Sequence, residues 1–354
     1  MPLNFLSVTE QVAAHLRGEL IRGRWGGTIP GRNHLAKDLG VNRKTVDAAL
    51  KLLEEEGILV SQGPRRKRKV VLPEGAMATM RIANLAYSPD DRQVPYILEL
   101  QHQLEEAGHT SLYAEQALTD LKMKLPRVQR LVNETEADAW IVSAGSREIL
   151  AWFAEQPFPV FAKFGRWQKL PLASVGPDKS SVMAEATQRL LELGHRRIVL
   201  LCLWERRNPK PGASEQTFLD CLESHGIQTG PYNLPDWEAG VEGLNAILDS
   251  LFKLTPPTAV ILESPILYAA VFQFLARRGL RVPEDVSLIS TDHHPELAWC
   301  DPPVSHIAWD TRPVVRRIVR WAGNISRGKR DVRQTLTPAT FVEGGTIGPA
   351  ATDP

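Results

Sequence analysis

Between Pro64 and Val70 the chain carries Arg65, Arg66, Lys67, Arg68 and Lys69 in succession. Five adjacent cations repel one another, and a nucleic-acid backbone relieves that repulsion by releasing its condensed counterions. A second cationic group, Arg43-Lys44 followed by Thr45, stands just after Asn42, a residue suited to cap a helix. At the exposed first turn of a helix such side chains reach base edges in a major groove; otherwise they are ordinary surface residues. Far downstream, Asp292-His293-His294 places three ligand-type residues in a row. Adjacent side chains rarely converge on one ion, and no metal-site spacing accompanies them, so neither a metal nor a cofactor is expected. The chain lacks GxSxG, HExxH, GxxxxGKS/T and a GxGxxG after a strand, which argues against an enzyme.

The elements that position the first two groups follow from periodicity. Val8, Val12, Ala13, Leu16, Leu20 and Ile21 form one helical stripe behind Ser7 as a cap. Gly23 and Gly26-Gly27 end that helix, and a shorter one after Pro30 turns Leu35, Ala36 and Leu39 inward before the sharp turn at Gly40. A third helix, capped by Asn42, buries Val46, Ala49, Leu50 and Leu53 and leaves Arg43, Lys44 and Thr45 outside. Ile58-Leu59-Val60 and Val70-Val71-Leu72 then read as two short strands joined through Gly63-Pro64, a hairpin wing.

Charge divides the chain at Pro73-Glu74-Gly75. Residues 1–75 hold 13 Lys/Arg against 8 Asp/Glu, a net of +5, and the remainder holds 29 against 33, a net of −4. The sequence therefore predicts a basic DNA-binding domain over 1–75, a linker over 76–80 and a larger domain over 81–349. With 354 residues, 43% hydrophobic and 23% charged, both parts are folded globular domains by composition. Three widely spaced cysteines, Cys202, Cys221 and Cys300, suggest no disulfide framework and fit a reducing cytoplasm. Neither a leader at Met1 to Glu10 nor any run near roughly 20 apolar residues directs the chain to a membrane.

Beyond residue 80, strand-like runs (Arg81 to Ala86, Ser111 to Ala114, Ala139 to Val142, Val160 to Phe164, Arg197 to Leu201, Ala259 to Leu262, Val286 to Ser290) alternate with helix-like ones such as Val94 to Ala107, Ser181 to Glu192 and Leu267 to Arg278. This alternation is that of parallel α/β layers.

The stretch IPGRNHLAKDLGVNRKTVDAALKLLEEEGIL resembles the GntR-type winged helix-turn-helix, over about Val8 to Leu72. The resemblance implies operator contact through Arg43, Lys44 and Thr45, with the wing at Gly63, Arg65, Arg66 and Lys67. Where the family usually reads Pro-Ser-Glu-Arg this chain has Pro30-Gly31-Arg32-Asn33, and the later arginine of the recognition helix is Asp47. Arg32 and Asn33 either substitute from a shifted position or are solvent-exposed.

The stretches LLELGHRRIVLL, PTAVILE, ARRGLRVPEDVSLISTD and CDPPVSHIAWD resemble the LacI/GalR-type sensor domain, itself similar to periplasmic sugar-binding proteins, over about Arg81 to Gly348. This implies two doubly wound lobes, an effector in the cleft, a homodimer, and a repressor of a double-stranded operator. Asp292, after the strand ending at Ser290, is either a ligand or a capping residue. Trp237 matches an aromatic that stacks on sugars in some relatives, or packs in the core; Trp309 walls the pocket or supports the hinge. Ser88 and Phe164 complete the aligned candidates. Other positions depart from the sugar-binding pattern. Ser264-Pro265, preceded by Glu263, replaces an Asn-Asp pair, Ser214 replaces a clamping Arg, and the loop Arg206 to Lys210 is basic, suited to an anionic effector or simply solvated.

Overall fold

A computed structural model describes residues 7–21, 25, 28–63, 66–71, 79–292 and 294–351. Arg65, His293 and most of the expected linker lie outside these residues.

The first helix, α1 (Val8–Ile21), opens on a reciprocal capping box. The Ser7 N–H donates to the Glu10 carboxylate at 2.6 Å and the Glu10 N–H donates to Ser7 Oγ at 3.3 Å. Val12, Ala13, Leu16 and Leu20 are buried, while Val8, assigned to the same stripe from periodicity, is exposed. Helix α2 (Arg32–Leu39) ends at Gly40, whose φ of +63° is left-handed and lets the chain reverse into the next helix. In α3 (Arg43–Glu55), Asn42 Oδ1 accepts the Lys44 N–H at 2.9 Å. Its inward Val46, Leu50 and Leu53 are fully buried and contribute about 1.5 to 3 kcal/mol each. Strands β1 (Leu59–Val60) and β2 (Lys69–Val70) form the antiparallel wing.

The second wing strand starts one residue before the apolar run at Val70. Thr28 bridges to Lys69 and the Ile29 N–H donates to the Arg68 carbonyl at 3.1 Å, which draws Lys69 into the ladder. Strand alternation then turns Arg68 toward α3 and leaves Lys67 and Lys69 exposed.

By its contacts the chain divides into two compact units, residues Met1–Lys163, Lys169–Ser174 and Val315–Arg333 in one, and Phe164–Gln168, Val175–Val314 and Gln334–Pro354 in the other. Beyond the winged segment, the first unit holds β3 (Arg81–Leu85), α4 (Pro95–Glu106), β4 (Thr110–Tyr113), α5 (Leu125–Glu134), β5 (Ala139–Ser143), α6 (Arg147–Ala154) and β6 (Val160–Lys163). Its strands run parallel in the order β4, β3, β5, β6. Strand β6 stops one residue earlier than the apolar run suggests, because Phe164 has a left-handed φ of +61° that no strand accommodates.

Strand β7 (Ala173–Pro177) leads into the second unit, which continues with α7 (Lys179–Glu192), β8 (Ile198–Leu201), α8 (Trp204–Arg207), α9 (Ala213–Ser224), α10 (Val241–Leu254) and β9 (Ala259–Leu262). After these come α11 (Pro265–Arg277), β10 (Ser287–Ser290) and β11 (Ser305–Trp309). Helix α12 (Thr311–Ile325) returns the chain to the first unit, and β12 (Gln334–Thr337) and β13 (Ala339–Val342) close the fold. The sheet order in the second unit is β13, β11, β10, β9, β8, parallel except for the antiparallel β13. Every residue of β8, β9 and β10 is buried, as expected of strands covered on both faces by helices. Among the described residues no helix is long and apolar enough to cross a membrane.

Candidate DNA interface and effector site

On the winged segment, α3 carries Arg43 and Lys44 exposed and Thr45 half-buried at its first turn. Asn42 fixes this turn, so the three side chains issue from a rigid helix end. Asn33 is exposed, and Gly63 at the wing has a φ of +102°, which only glycine adopts freely. Arg66 and Lys67 are exposed beside it. Arg32 is not merely solvated: its guanidinium lies 3.6 Å from the Asp47 carboxylate, which also faces Arg68 at 3.7 Å. Arg68 in turn donates to Glu54 at 2.7 Å. One of the five wing cations is therefore committed internally, and Asp47, standing where an arginine was expected, links α2, α3 and the wing.

In the second unit the carboxyl ends of β8, β9 and β10 share one edge, as their parallel registers require. The Thr291 N–H donates to the Leu262 carbonyl at 2.7 Å, and its hydroxyl donates to the Glu263 carbonyl at 3.0 Å. Asp292 follows directly. Its Oδ1 accepts the indole N–H of Trp309, at the end of β11, at 2.7 Å, and its Oδ2 lies 3.2 Å from Lys179 Nζ, at the start of α7. Phe164 packs edge-on against Trp309 with ring centroids 5.3 Å apart. Asp292, Trp309 and Phe164 thus meet in one cluster, joined by Lys179, which sequence reasoning missed.

Glu263 lies beside this cluster but is occupied differently. It accepts the Leu203 N–H at 2.6 Å and pairs with Arg206 at 3.4 Å. Burial pushes its carboxyl above the ordinary range, against the pull of Arg206. Arg206 also reaches Glu215 at 3.0 Å; burial opposes its charge, but the two carboxylates prevail and hold it protonated. Arg207 is buried, donating to Asp236 at 2.9 Å and to the carbonyls of Cys202 and Trp237 at 2.7 Å each. Two cations of the basic loop therefore answer internal groups. Arg166 ties the loop down through the carbonyls of Glu205 at 3.2 Å and Lys210 at 2.7 Å.

The remaining candidates are placed apart. Trp237 packs against the core of the second unit and donates its indole N–H to the Cys202 carbonyl at 2.9 Å. Ser264 caps α11, its Oγ accepting the Leu267 N–H at 3.3 Å. Ser214 is buried within α9. Ser88 belongs to the first unit, where its N–H donates to Asp91 at 3.2 Å. In that unit Lys163 ends β6 with its ammonium 5.1 Å from the centre of the Tyr96 ring. Burial lowers its pKa to about 8, partly offset by Asp91. Among the described residues no group of three or more His, Cys, Asp or Glu could hold a metal ion.

Fold and site together define a winged helix-turn-helix segment followed by mostly parallel α/β units with a polar cluster at the carboxyl edge of a sheet. Residues 8–66 match the family described as bacterial regulatory proteins, gntR family, and residues 187–347 match the periplasmic binding protein-like domain. The chain joins a GntR-type helix-turn-helix domain to a periplasmic-binding-protein-like domain. It is 31% identical to the HTH-type transcriptional repressor CytR of Escherichia coli (strain K12) over 144 residues, 40% of this chain. The match spans 41% of the length of that relative. The HTH-type transcriptional regulator DegA of Bacillus subtilis (strain 168) is 26% identical over 325 residues, 85% of this chain and 93% of DegA. Among solved structures, the transcriptional regulator CelR-cellobiose complex superposes with a TM-score of 0.62 at 18% identity, covering 90% of this chain and 100% of that one. A LacI-type transcription regulator from Bifidobacterium animalis subsp. lactis gives 0.60 at 21%, covering 75% and 98%. These likenesses fix the fold.

Proposed function

We propose that this protein is a ligand-responsive transcription regulator, a cytoplasmic homodimer that represses by binding a double-stranded operator. Its affinity for that operator is changed by a small polar metabolite. The observation that carries the reading is the joining, in one chain, of a recognition helix with an exposed cationic first turn to a sensor unit bearing the Asp292, Trp309 and Lys179 cluster. Cellobiose and ribose appear in the names of structural neighbours, and a carboxylate beside aromatic rings is suited to the hydroxyls and apolar face of a sugar or sugar derivative. A dimer reads two half-sites, which a single winged module burying roughly 600 to 1,000 Å² does not.

The test is to select an operator from a random library and titrate it with and without candidate sugars. Coupling is reciprocal, so a sugar that lowers operator affinity has its own affinity lowered by the same factor in the presence of operator. A chain that binds no duplex, or a sugar that binds without shifting DNA affinity, overturns the reading. One set of contacts favours a second reading, a sensor that only dimerises. Both Asp292 oxygens are already engaged, and the Trp237 N–H is spent on the backbone. The absence of thermal stabilisation by every metabolite tested would favour it, since a ligand that binds only the native state raises stability.

A further inference from the structure

The first unit contains a cavity of about 430 Å³ that belongs to none of the groups above. It lies below the amino end of β6, among the end of α6, the segment 156–160, Pro171-Leu172, the last turns of α12 and the loop 328–332. Parallel pairing puts the amino ends of β3, β5 and β6 on one sheet edge, opposite the edge that carries Lys163. That edge is also where the chain arrives from the winged segment, at Arg81, whose N–H is held by Asp138 at 2.7 Å.

The lining mixes the apolar side chains of Phe153, Phe158, Pro159, Leu172, Trp321 and Ile325 with polar groups. Trp321 is fully buried, edge-on to Phe161 at 5.2 Å, and its indole Nε1 has no hydrogen-bond partner among the described residues. A buried donor without an acceptor costs about 1 to 3 kcal/mol, a deficit that a ligand acceptor would remove. Lys329 and Arg330 stand exposed at the rim, and neither side chain has a carboxylate partner among the described residues. The acidic lining residue, Asp331, is saturated by Arg317 at 2.8 Å, Asn324 at 2.9 Å and the Arg333 N–H at 3.1 Å. Burial alone would raise its pKa, but these bonds hold it below the ordinary carboxylate range, so it keeps its charge inside an ion pair. The space thus has an apolar portion, a lining tryptophan whose donor is unmet, and two cations at its rim without carboxylate partners among the described residues.

We propose that this cavity is a second ligand site, which takes a small organic anion with an aromatic or compact apolar body. The body fills the Phe and Pro walls, the indole N–H donates to one acceptor, and Lys329 and Arg330 face the negative charge. The proposal stands independently of the effector reading.

Calorimetric titration of the full chain with 1-naphthylacetate and its neutral isostere 1-naphthylacetamide tests it. The acid binds about tenfold more tightly than the amide. The paired substitutions Lys329→Ala and Arg330→Ala bring the acid down to the amide and leave the amide unchanged. Trp321→Phe weakens both by about five- to tenfold, and Ala154→Trp, which fills the space, removes both. Asp292→Ala changes neither affinity. No binding at millimolar probe, equal affinity for acid and amide, survival of binding in Ala154→Trp, or its loss in Asp292→Ala each overturns the assignment. The rim variant, confined to exposed side chains, keeps the test decisive if the interior variants fail to fold.

Discussion

The Trp309 indole N–H and the Asp292 carboxylate meet at 2.7 Å, from the ends of adjacent parallel strands, while Lys179 holds the second carboxylate oxygen at 3.2 Å. A carboxylate oriented from two sides cannot rotate away from a ligand hydroxyl, and hydrogen bonds to a charged group are worth about 1.5 to 3 kcal/mol. Asp292→Ala is therefore expected to weaken effector binding on the order of ten- to a hundredfold and to leave effector-free DNA binding intact. Trp309→Phe, which keeps the ring against Phe164 and loses only the N–H, should cost less. Calorimetry on the two variants checks the order, and equal effector affinity in wild type and Asp292→Ala would remove Asp292 from the site.

On the winged segment, exposed Arg66 and Lys67 should act on phosphates and Arg43 on bases. Neutralising Arg65, Arg66 and Lys67 together is expected to weaken binding to all sequences alike and to flatten the slope of log affinity against log salt by about 0.9 for each lost phosphate contact. Arg43→Ala should instead alter base preference, because a bidentate arginine contact is worth about 1 to 3 kcal/mol against the wrong base. A salt slope unchanged by the wing variant, or a loss for Arg43→Ala that is equal on every sequence, would contradict this division.

How much of this was legible depended on whether a residue's neighbours were close in sequence. The three winged helices were, since Val46, Ala49, Leu50 and Leu53 announce their buried face by spacing alone. Strand β7 was not: it contains Gly176 and Pro177, which read as a loop, and the half-exposed β12 and β13 lack any apolar run. With β7 unread, Lys179 had no reason to be placed at a strand's carboxyl end, 113 residues from its partner Asp292. Trp237 illustrates a different limit. Its type signals a stacking surface or a core filler equally, and only the position of the Cys202 carbonyl shows where its N–H is spent.

Two buried histidines set the expected pH dependence. His109 is 4% exposed with neither ring nitrogen partnered among the described residues, and burial lowers its pKa. His195 is lowered chiefly by burial too, although the Gly348 carbonyl pulls the other way. A histidine with a depressed folded value binds fewer protons folded than unfolded below about pH 6.5. Its contribution is therefore fully present above the unfolded pKa and lost as the pH falls through the window between the unfolded and the lower folded value. The midpoint of thermal unfolding should drop from pH 7.5 to 5.5, and should drop less in His109→Leu, which has no proton to take up. An equal drop in both proteins would show that His109 does not titrate in this window.

Asp47 offers a test in which simple electrostatics and positioning predict opposite signs. Removing a carboxylate from a surface that faces DNA strengthens binding to any duplex, because one repulsion with the phosphates disappears. Asp47, however, holds Arg32 at 3.6 Å and faces Arg68 at 3.7 Å, so it orients the one guanidinium on α2 that lies beside the recognition helix. Asp47→Ala is expected to bind random-sequence duplex more tightly while discriminating a selected operator from it by about five- to tenfold less, in line with coupling energies between contacting residues. In an Arg32→Ala background the same substitution should cost no further discrimination, since there is no guanidinium left to orient. Anisotropy titrations of the four proteins on both duplexes complete the cycle. If Asp47→Ala instead raises affinity for both duplexes by one common factor, Asp47 contributes charge alone and Arg32 finds its place without it.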